Sequence, residues 1–400
     1  MQPFSVYLHI PFCHHRCSYC DFNTYSGLDN LIPEYTQALC SEIKFIAANF
    51  EQRIPVHTVF LGGGTPSLLP ISNLVNVFEA LYREFEIIDG AEFTLEANPE
   101  RVTDDYLKGL RTLGINRLSL GMQTANPEEL RILERQHDYD QIALTVNLAR
   151  RAGFDNVNLD LIFGLPHQTL ESWQVSLDLG LTLNPDHFSL YALTVEDGTP
   201  LADRIYKGFL VEPDPDLAAD MYELASERLD KSGFKQYEIS NWAKYGESIG
   251  LIACQHNLQY WRNLPYLGLG AGAHGYADGI RTANVLSPGR YIQSFLPDNA
   301  KHNQSHLQFP STPATVNAQY VKQDQEIRET MMMGLRLTEE GVSRETFRDR
   351  FSTSLEEVYK TEIEELISDG LLEWEPLESD RLRLTPRGRL IGNQVFVRFI

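Results

Sequence analysis

The sequence predicts an α/β protein: a partial (β/α)6 barrel over residues 1–320 and a winged-helix-like α+β domain over residues 321–400. Short apolar runs alternate with helix-period segments, which is typical of a parallel sheet with helices packed outside it. Six such units are fewer than the eight of a closed barrel. Near residue 324 the pattern changes to three helical periods and a hairpin.

Each predicted strand is a short apolar stretch, and each predicted helix repeats its apolar residues every three or four positions. The strands of the barrel are predicted at Val6–Ile10, Thr58–Leu61, Phe93–Ala97, Arg117–Gly121, Asn158–Phe163 and His187–Ala192. The helices are predicted at Ile32–Asn49, Ile71–Phe85, Thr103–Leu113, Glu128–Arg135, Ile142–Ala152 and Thr169–Leu183.

The C-terminal region has the same kinds of signal in a different order. Its helices are predicted at Gln325–Leu335, Arg344–Phe351 and Leu355–Asp369, and its hairpin strands at Leu371–Trp374 and Arg381–Thr385. Gly370 lies where a helix stop is expected. The segment 297–318 is rich in Pro, Ser, Asn and His, which is typical of a linker or an exposed loop.

Three cysteines, Cys13, Cys17 and Cys20, follow the first predicted strand with the spacing C-x3-C-x2-C. A structural zinc site uses four ligands, and His14 or His15 would complete a Cys3His set. An iron–sulfur cube held by three thiolates instead keeps one iron open for a small molecule. The cysteines therefore predict a metal centre, and zinc remains the alternative to the cluster.

The other motifs also fall where predicted strands end. They are Gly62–Pro66, Glu96–Pro99, Gln123, Gly164–Pro166 and Tyr191–Ala192. Strand ends on one rim of a barrel converge in space, and such folds build their active sites there. The sequence therefore predicts one site that combines these motifs with the cysteines.

Residues 7–22, YLHIPFCHHRCSYCDF, resemble the cluster loop of the radical S-adenosylmethionine (SAM) superfamily, and within it the coproporphyrinogen-dehydrogenase-like branch. The resemblance implies a 4Fe-4S cluster on Cys13, Cys17 and Cys20, with SAM at the open iron. Dehydrogenases of this branch usually carry another cysteine two residues after the third. Phe22 occupies that position here, which favours the heme chaperones of the branch.

The resemblance also implies which residues bind SAM. In that family such a glycine loop holds the methionine amino group. Glu96 lies at a strand end, where its carboxylate can accept hydrogen bonds from ribose hydroxyls. Tyr7 and Tyr19 flank the cysteines and are expected to cover the cluster and SAM. The implied set is Tyr7, Tyr19, Gly63, Gly64, Thr65, Glu96, Gln123, Arg135, Asp160 and Ala192. From the residues alone, the glycine run is also compatible with a tight turn, Arg135 with a surface charge and Tyr7 with a strand core. Arg16 is expected either to favour a thiolate or to lie in solvent.

A second signal is the segment of about 250–280, which contains His256-Asn257-Leu258-Gln259-Tyr260-Trp261. Its pattern H-N-x-x-Y-W resembles a heme-associated motif of the chaperones. His256 offers an imidazole to heme iron, and the aromatic pair offers flat faces to a porphyrin. Cys254 is a thiolate alternative, and a lone histidine is more often a structural hydrogen bonder.

The function predicted from these features is a heme chaperone that passes heme to an acceptor protein. The alternative is an oxygen-independent coproporphyrinogen III dehydrogenase, which removes carboxyl groups from propionates, so whether the chain is an enzyme stays open. The resemblance further implies an electron donor of the flavodoxin or ferredoxin type and a homodimer.

Charge and composition limit the remaining classes. A net charge of −21 disfavours binding to nucleic acid or to anionic lipid. No apolar run reaches the roughly 18 residues of a membrane span, and no signal-peptide pattern opens the chain. The five cysteines do not indicate a disulfide framework. We therefore expect a cytoplasmic protein.

Overall fold

A computed structural model describes the chain except for four short stretches. The described residues are 2–246, 250–296, 307–375 and 380–400. They form two compact units, Met1–Ala225 with Pro265–Gln319 and Ser226–Leu264 with Tyr320–Ile400. The sequence-based domain division at residue 320 stays a prediction, and the structure adds that residues 226–264 group with the C-terminal unit.

The elements are numbered here in chain order. The strands are β1 (Phe4–Ile10), β2 (Phe12–Cys13), β3 (Tyr25–Ser26), β4 (Pro55–Gly63), β5 (Glu86–Ala97), β6 (Arg117–Gln123), β7 (Asn156–Phe163), β8 (His187–Ala192), β9 (Phe234–Glu238), β10 (Asn241–Gly246), β11 (Gly250–Leu251), β12 (Tyr266–Leu269), β13 (His274–Ala277), β14 (Ile280–Asn284), β15 (Thr315–Tyr320), β16 (Val342–Ser343), β17 (Leu372–Trp374) and β18 (Arg381–Leu384). The helices are α1 (Ile32–Ala48), α2 (Ile71–Glu84), α3 (Asp104–Leu113), α4 (Pro127–Ile132), α5 (Tyr139–Arg151), α6 (Leu170–Thr182), α7 (Pro200–Tyr206), α8 (Pro215–Lys231), α9 (Gln255–Trp261), α10 (Pro288–Ser294), α11 (Gln323–Gly334), α12 (Arg344–Phe351), α13 (Leu355–Ser368), α14 (Pro386–Leu390) and α15 (Gly392–Phe396).

The sheet of the first unit is built from the predicted strands. Its order is β8-β7-β6-β5-β4-β1, and every neighbouring pair in this run is parallel. Helices α1, α2, α3, α5 and α6 lie between these strands along the chain, close to their predicted bounds. The predicted partial barrel of six β/α units is confirmed, and all six strand ends lie on one rim.

Burial explains why these segments form this layer. Val6, Leu8 and Ile10 of β1 are fully buried, and so are Leu39 and Ile43 of α1. Strands covered on both faces are expected to be nearly continuous apolar runs, as those of the parallel sheet are. The apolar stretches that predicted the strands are therefore also the core that holds the helices against the sheet.

The sheet continues beyond β1 in a way the sequence did not predict. β12 pairs with β1 in parallel, and β13 and β14 follow it as antiparallel strands, with β15 next to β14. Of the predicted linker 297–318, residues 297–306 lie outside the described residues. The linker prediction is wrong for part of the rest, because Thr312 is buried and β15 begins at Thr315.

The second unit contains the predicted winged-helix-like elements. Helices α11, α12 and α13 precede a three-stranded antiparallel sheet of order β16-β18-β17. Leu355 of α13 and the strand residues Leu382 and Leu384 are fully buried in one apolar cluster. The predicted helices and hairpin are present, and the two-residue strand β16 was not predicted.

Within the described ranges, no helix combines the length and the apolar character that crossing a bilayer requires.

Candidate functional site

An open cavity of about 430 Å³ lies at the rim where the parallel strands end. Its volume is within the range of small-molecule sites. All but two of the predicted site residues line it, namely Cys13, Cys17, Cys20, Tyr19, Gly63, Gly64, Thr65, Glu96, Gln123, Arg135, Asp160 and Ala192. The predicted convergence of separate motifs is therefore observed, and the ligand contacts of these residues stay proposals.

The three cysteines lie on β2 and on the loop that follows it. Thr65 Oγ1 donates to Cys13 Sγ over 3.7 Å, and Thr24 Oγ1 lies 3.9 Å from Cys20 Sγ. Burial raises the pKa of the Cys13 thiol, and hydrogen bonds from Thr65 and Thr24 oppose that rise. A bound cation would hold such a buried sulfur as the thiolate, because coordination deprotonates a thiol.

The glycine loop lies directly against the cysteine strand. Gly64 N donates to Ile10 O over 2.8 Å, and Thr65 N donates to Phe12 O over 2.8 Å. A Cβ on Gly64 would come within 2.6 Å of Phe12 O, so no larger residue fits at this approach. Gly63 has a φ of 111°, which glycine adopts without strain, and its N–H points to Glu96.

Arg135 is placed differently from its predicted helix. The helix over Glu128–Arg135 was predicted too long, because α4 ends at Ile132 and Glu134 takes a positive φ of 58°. That turn directs the Arg135 side chain inward, where Nη1 donates to Cys17 Sγ over 3.5 Å and Nη2 donates to Asn98 Oδ1 over 3.2 Å. The buried Nε atom has no hydrogen-bond partner among the described residues. Arg135 is therefore a partly buried cation beside the cysteines rather than a freely solvated surface charge.

Two carboxyl groups share the cavity. Glu96 accepts a hydrogen bond from Gly63 N over 3.1 Å, and Asp160 accepts one from Ser119 Oγ over 3.1 Å. Burial, followed by the negative charge of Asp160, raises the pKa of Glu96 to about 8. Burial also raises the pKa of Asp160, and hydrogen bonds from Asn158 and Ser119 oppose that rise. Such a pair presents hydrogen-bond acceptors, and a proton donor on Glu96, to a polar ligand.

Tyr7 and Tyr19 have different positions. Tyr19 lines the cavity and packs against an apolar cluster that contains Leu133 and Leu165. Tyr7 is not among the cavity-lining residues described; its hydroxyl lies 3.0 Å from His9 Nδ1, and its ring stacks on Phe60. The cavity thus has one of the two tyrosines in its wall.

Several residues of the cavity wall are not among the predicted site residues. Asn98, Ser119 and Tyr191 line it without having been assigned a role. Asn98 and Tyr191 stand in motifs at strand ends, and that position was the signal that pointed to them. Ser119 faces inward from the middle of β6, where a lone serine in an apolar strand gives little indication of its contacts.

The histidines weighed for a zinc site lie on the cysteine loop, and His15 lines the same cavity as the three thiols. His14 is exposed, and His15 pairs with Glu134 at 3.4 Å. Arg16 donates to Phe22 O over 3.5 Å, so the guanidinium beside a cluster thiol is that of Arg135. In the part of the chain that the structure describes, no three His, Cys, Asp or Glu side chains are grouped to hold a single metal ion. A four-iron cluster requires a wider spacing, since each thiolate binds a different iron.

His256, the predicted heme ligand, belongs to the second unit. It lies on α9 with 2% of its surface exposed. Its Nε2 atom is 2.9 Å from the hydroxyl of Tyr260, and the two rings meet edge to face. The H-N-x-x-Y-W spacing therefore places its histidine and tyrosine one helical turn apart and in contact.

Comparison with known families gives two matches. The model of the radical SAM superfamily matches residues 7–180, and that of the HemN C-terminal domain matches residues 321–391. The heme chaperone HemW of Bacillus subtilis is 36% identical to this chain over 397 residues, which is 99% of each protein. The chain belongs to the HemW family.

Further relatives agree with this assignment. The heme chaperone HemW of Escherichia coli is 38% identical over 306 residues, covering 74% of this chain and 78% of the relative. The mitochondrial radical S-adenosyl methionine domain-containing protein 1 of Danio rerio is 39% identical over 271 residues, covering 68% of this chain and 60% of that protein.

A solved structure supports the fold. Coproporphyrinogen III oxidase (HemN) from Escherichia coli, a radical SAM enzyme, superposes with a TM-score of 0.82 at 24% identity. The match covers 99% of this chain and 90% of that one. At this sequence identity, the likeness shows that this HemW family member has the same fold as that structure.

Proposed function

We propose that the chain is a heme chaperone that binds heme and passes it to an acceptor protein. Its core would hold a 4Fe-4S cluster on Cys13, Cys17 and Cys20, and SAM in the rim cavity. The single observation that carries this proposal is the relationship to curated HemW proteins over nearly the whole chain.

The donor set at the rim suits both cofactors. Three thiols line one side of an open cavity and leave no fourth cysteine beside them for the last iron of a cube. The Glu96 and Asp160 carboxyls suit the hydroxyl and ammonium groups of SAM, and the positive charge of Arg135, which lines the same cavity, suits its carboxylate. When bound, the cluster and SAM would supply radical chemistry, while the chain binds and orients them.

The cluster assignment can be tested by anaerobic reconstitution with iron and sulfide. We expect wild-type protein to take up both, and the Cys13→Ser, Cys17→Ser and Cys20→Ser variants to lose most of the visible absorption and sulfide. Cys40→Ser is the matched control, because Cys40 lies on α1 outside the cavity lining. Uptake of zinc without sulfide would contradict the proposal.

The heme site can be tested by titration. We expect a Soret band that saturates near one heme per chain and a weaker affinity in His256→Ala. Because His256 is buried, the residue has to become accessible before heme iron can bind it. His14→Ala is the control, since His14 is exposed and lies in the other unit. Equal affinity in His256→Ala and wild type would remove His256 from the site.

The alternative of a coproporphyrinogen III dehydrogenase can be tested on the same sample. Phe22, which stands where those enzymes usually carry a cysteine, lines the cavity and is 64% exposed. We expect no protoporphyrinogen from coproporphyrinogen under anaerobic conditions with SAM and a chemical reductant. Formation of that product would establish the enzyme instead.

Three further statements about the molecule stay predictions. They are an electron donor of the flavodoxin or ferredoxin type, a homodimeric state and a cytoplasmic location.

A further inference from the structure

We propose that Asn158, held in place by His187, is a positioning residue that fixes the Asp160 carboxylate for the ligand of the rim cavity. This inference rests on the proposed function, because it takes SAM as that ligand. Asp160 lines the cavity, whereas Asn158 and His187 lie deeper in the barrel and are not among its lining residues.

The amide of Asn158 uses its hydrogen-bonding capacity on four neighbours. Its Nδ2 donates to Asp160 Oδ1 over 2.8 Å and to Ser119 Oγ over 2.7 Å. Its Oδ1 accepts from His187 Nδ1 over 2.6 Å and from Ser189 Oγ over 3.2 Å. Two donated and two accepted bonds saturate the group, so the amide has one orientation in this site.

His187 sets that orientation. Burial, together with the nearby positive charge of Arg117, holds the pKa of His187 well below its usual range. A neutral imidazole has one N–H, and its placement on Nδ1 gives Asn158 Oδ1 the donor it needs. With the amide oxygen facing His187, its nitrogen must face Asp160.

The Asp160 carboxylate is thereby held by hydrogen bonds from residues of the barrel interior. Asn158 donates to its Oδ1 and Ser119 donates to its Oδ2, while the same side chain lines the cavity. The remaining lone pairs suit a ligand that donates hydrogen bonds, such as an ammonium or a hydroxyl group. Barrel interiors are usually filled with branched apolar residues, and packing alone does not account for this polar chain.

The protonation of Asp160 depends on charges that face it from several elements. Arg117 of β6 favours its ionised form, and Glu96 of β5 repels it. Tyr19 of the cysteine loop also interacts with it, and His187 of β8 stays neutral. The hydrogen bond from Asn158 acts in the same direction as Arg117, because it stabilises the carboxylate.

The test measures SAM binding to the cluster-loaded full chain by equilibrium dialysis across pH. We expect Asn158→Leu and His187→Leu to bind SAM about tenfold more weakly or worse, since a charged hydrogen bond is lost or misdirected. The pH below which affinity falls should also rise in both, because Asp160 would protonate more readily. His187→Asn should recover much of the affinity, since its amide can donate from nearly the position of the imidazole Nδ1.

Thr94→Val is the matched control. Thr94 lies on β5, is fully buried, and has no hydrogen-bond partner for its hydroxyl in the described structure. The change is nearly isosteric, and we expect the affinity and the pH profile of wild type.

The outcomes separate the two proposals. A wild-type protein that takes up its cluster but not SAM would overturn the proposed cavity ligand and this inference together. Wild-type affinity in Asn158→Leu and His187→Leu would overturn the inference alone. A loss of affinity with an unchanged pH profile and no recovery in His187→Asn would assign a purely structural role, which also overturns it. If Asn158→Leu does not fold, the two His187 variants decide.

Discussion

At the scale of single residues, the cavity is lined by ionisable groups whose pKa values burial has shifted. Glu96 and Asp160 line the same space, and each opposes ionisation of the other. Arg135 brings a partly buried positive charge to Cys17. A ligand that carries both a cationic and an anionic group, as SAM does, meets complementary groups in this one cavity.

The raised pKa of Glu96 makes stability depend on pH in a defined direction. With a folded pKa of about 8, Glu96 keeps its proton in the native protein up to about that pH. In the unfolded chain the same carboxyl loses its proton at the ordinary, lower pKa of a glutamate. Stability from this group is therefore full at low pH and is lost as pH rises toward about 8. Between about pH 6 and pH 8, we expect wild type to lose roughly 2 kcal/mol more than Glu96→Gln does.

Urea unfolding of the cluster-free protein at the two pH values measures this difference. Glutamine keeps an acceptor for Gly63 N, so the glycine loop is retained in the variant. Glu86→Gln, which lies on the same strand but is exposed, is the control and should follow wild type. Parallel pH dependences in wild type and Glu96→Gln would show that Glu96 titrates normally.

At the scale of elements, the glycine loop joins the ends of neighbouring strands through backbone hydrogen bonds. The loop after β4 bonds to the backbone of β1 and β2 and so fixes the strand that carries Cys13. We expect Gly64→Ala to destabilise the protein by about 1–3 kcal/mol, because its Cβ would overlap the carbonyl oxygens of Phe12 and Ile10.

A glycine elsewhere in the same unit provides the control. At Gly289, on the helix α10, a Cβ would meet only Ser287 Oγ, at 3.9 Å. Gly289→Ala should be neutral or slightly stabilising, since alanine favours helix. Thermal unfolding and cluster uptake of both variants check this, and equal behaviour of the two would mean that the loop can move away from β2.

The sequence predicted the parallel strands and their helices because their signals are local. Apolar residues such as Leu161, Ile162 and Phe163 are buried in the strand β7, so composition alone indicates that it is a strand. The strand β12, in contrast, contains Gly268, and it pairs with β1, which lies more than two hundred residues earlier. A pairing over such a distance leaves no local signal in the sequence. The position of Arg135 also escaped prediction, because it depends on the left-handed conformation of Glu134.

At the scale of the whole molecule, chain order and spatial grouping differ. Residues 226–264 group with 320–400, although the first unit supplies the sequence between them. Helical and strand periods give no information about such grouping, since it arises from contacts between distant segments. The site was likewise predictable as a set of motifs at strand ends, whereas Asn158 and His187 acquire their roles only from the folded barrel.

Arg350 joins the two chain segments of the second unit. Its guanidinium donates to Asn263 O over 2.7 Å and to Glu326 over 2.6 Å, and it is three-quarters covered. We expect Arg350→Ala to cost about 2 kcal/mol, because it leaves a partly buried carboxylate and a backbone carbonyl without their donor.

Arg328 on α11 is the matched control for this ion pair. Its pair with Asp324 is exposed, so Arg328→Ala should change stability by less than about 0.5 kcal/mol. Hydrogen exchange should become faster in Gln255–Trp261 for Arg350→Ala and stay unchanged for Arg328→Ala. Because α9 carries His256, heme affinity should differ from that of wild type in Arg350→Ala, where hydrogen exchange is faster, and not in Arg328→Ala. Equal exchange of α9 in both variants would mean that other contacts suffice to hold residues 226–264 against the C-terminal segment.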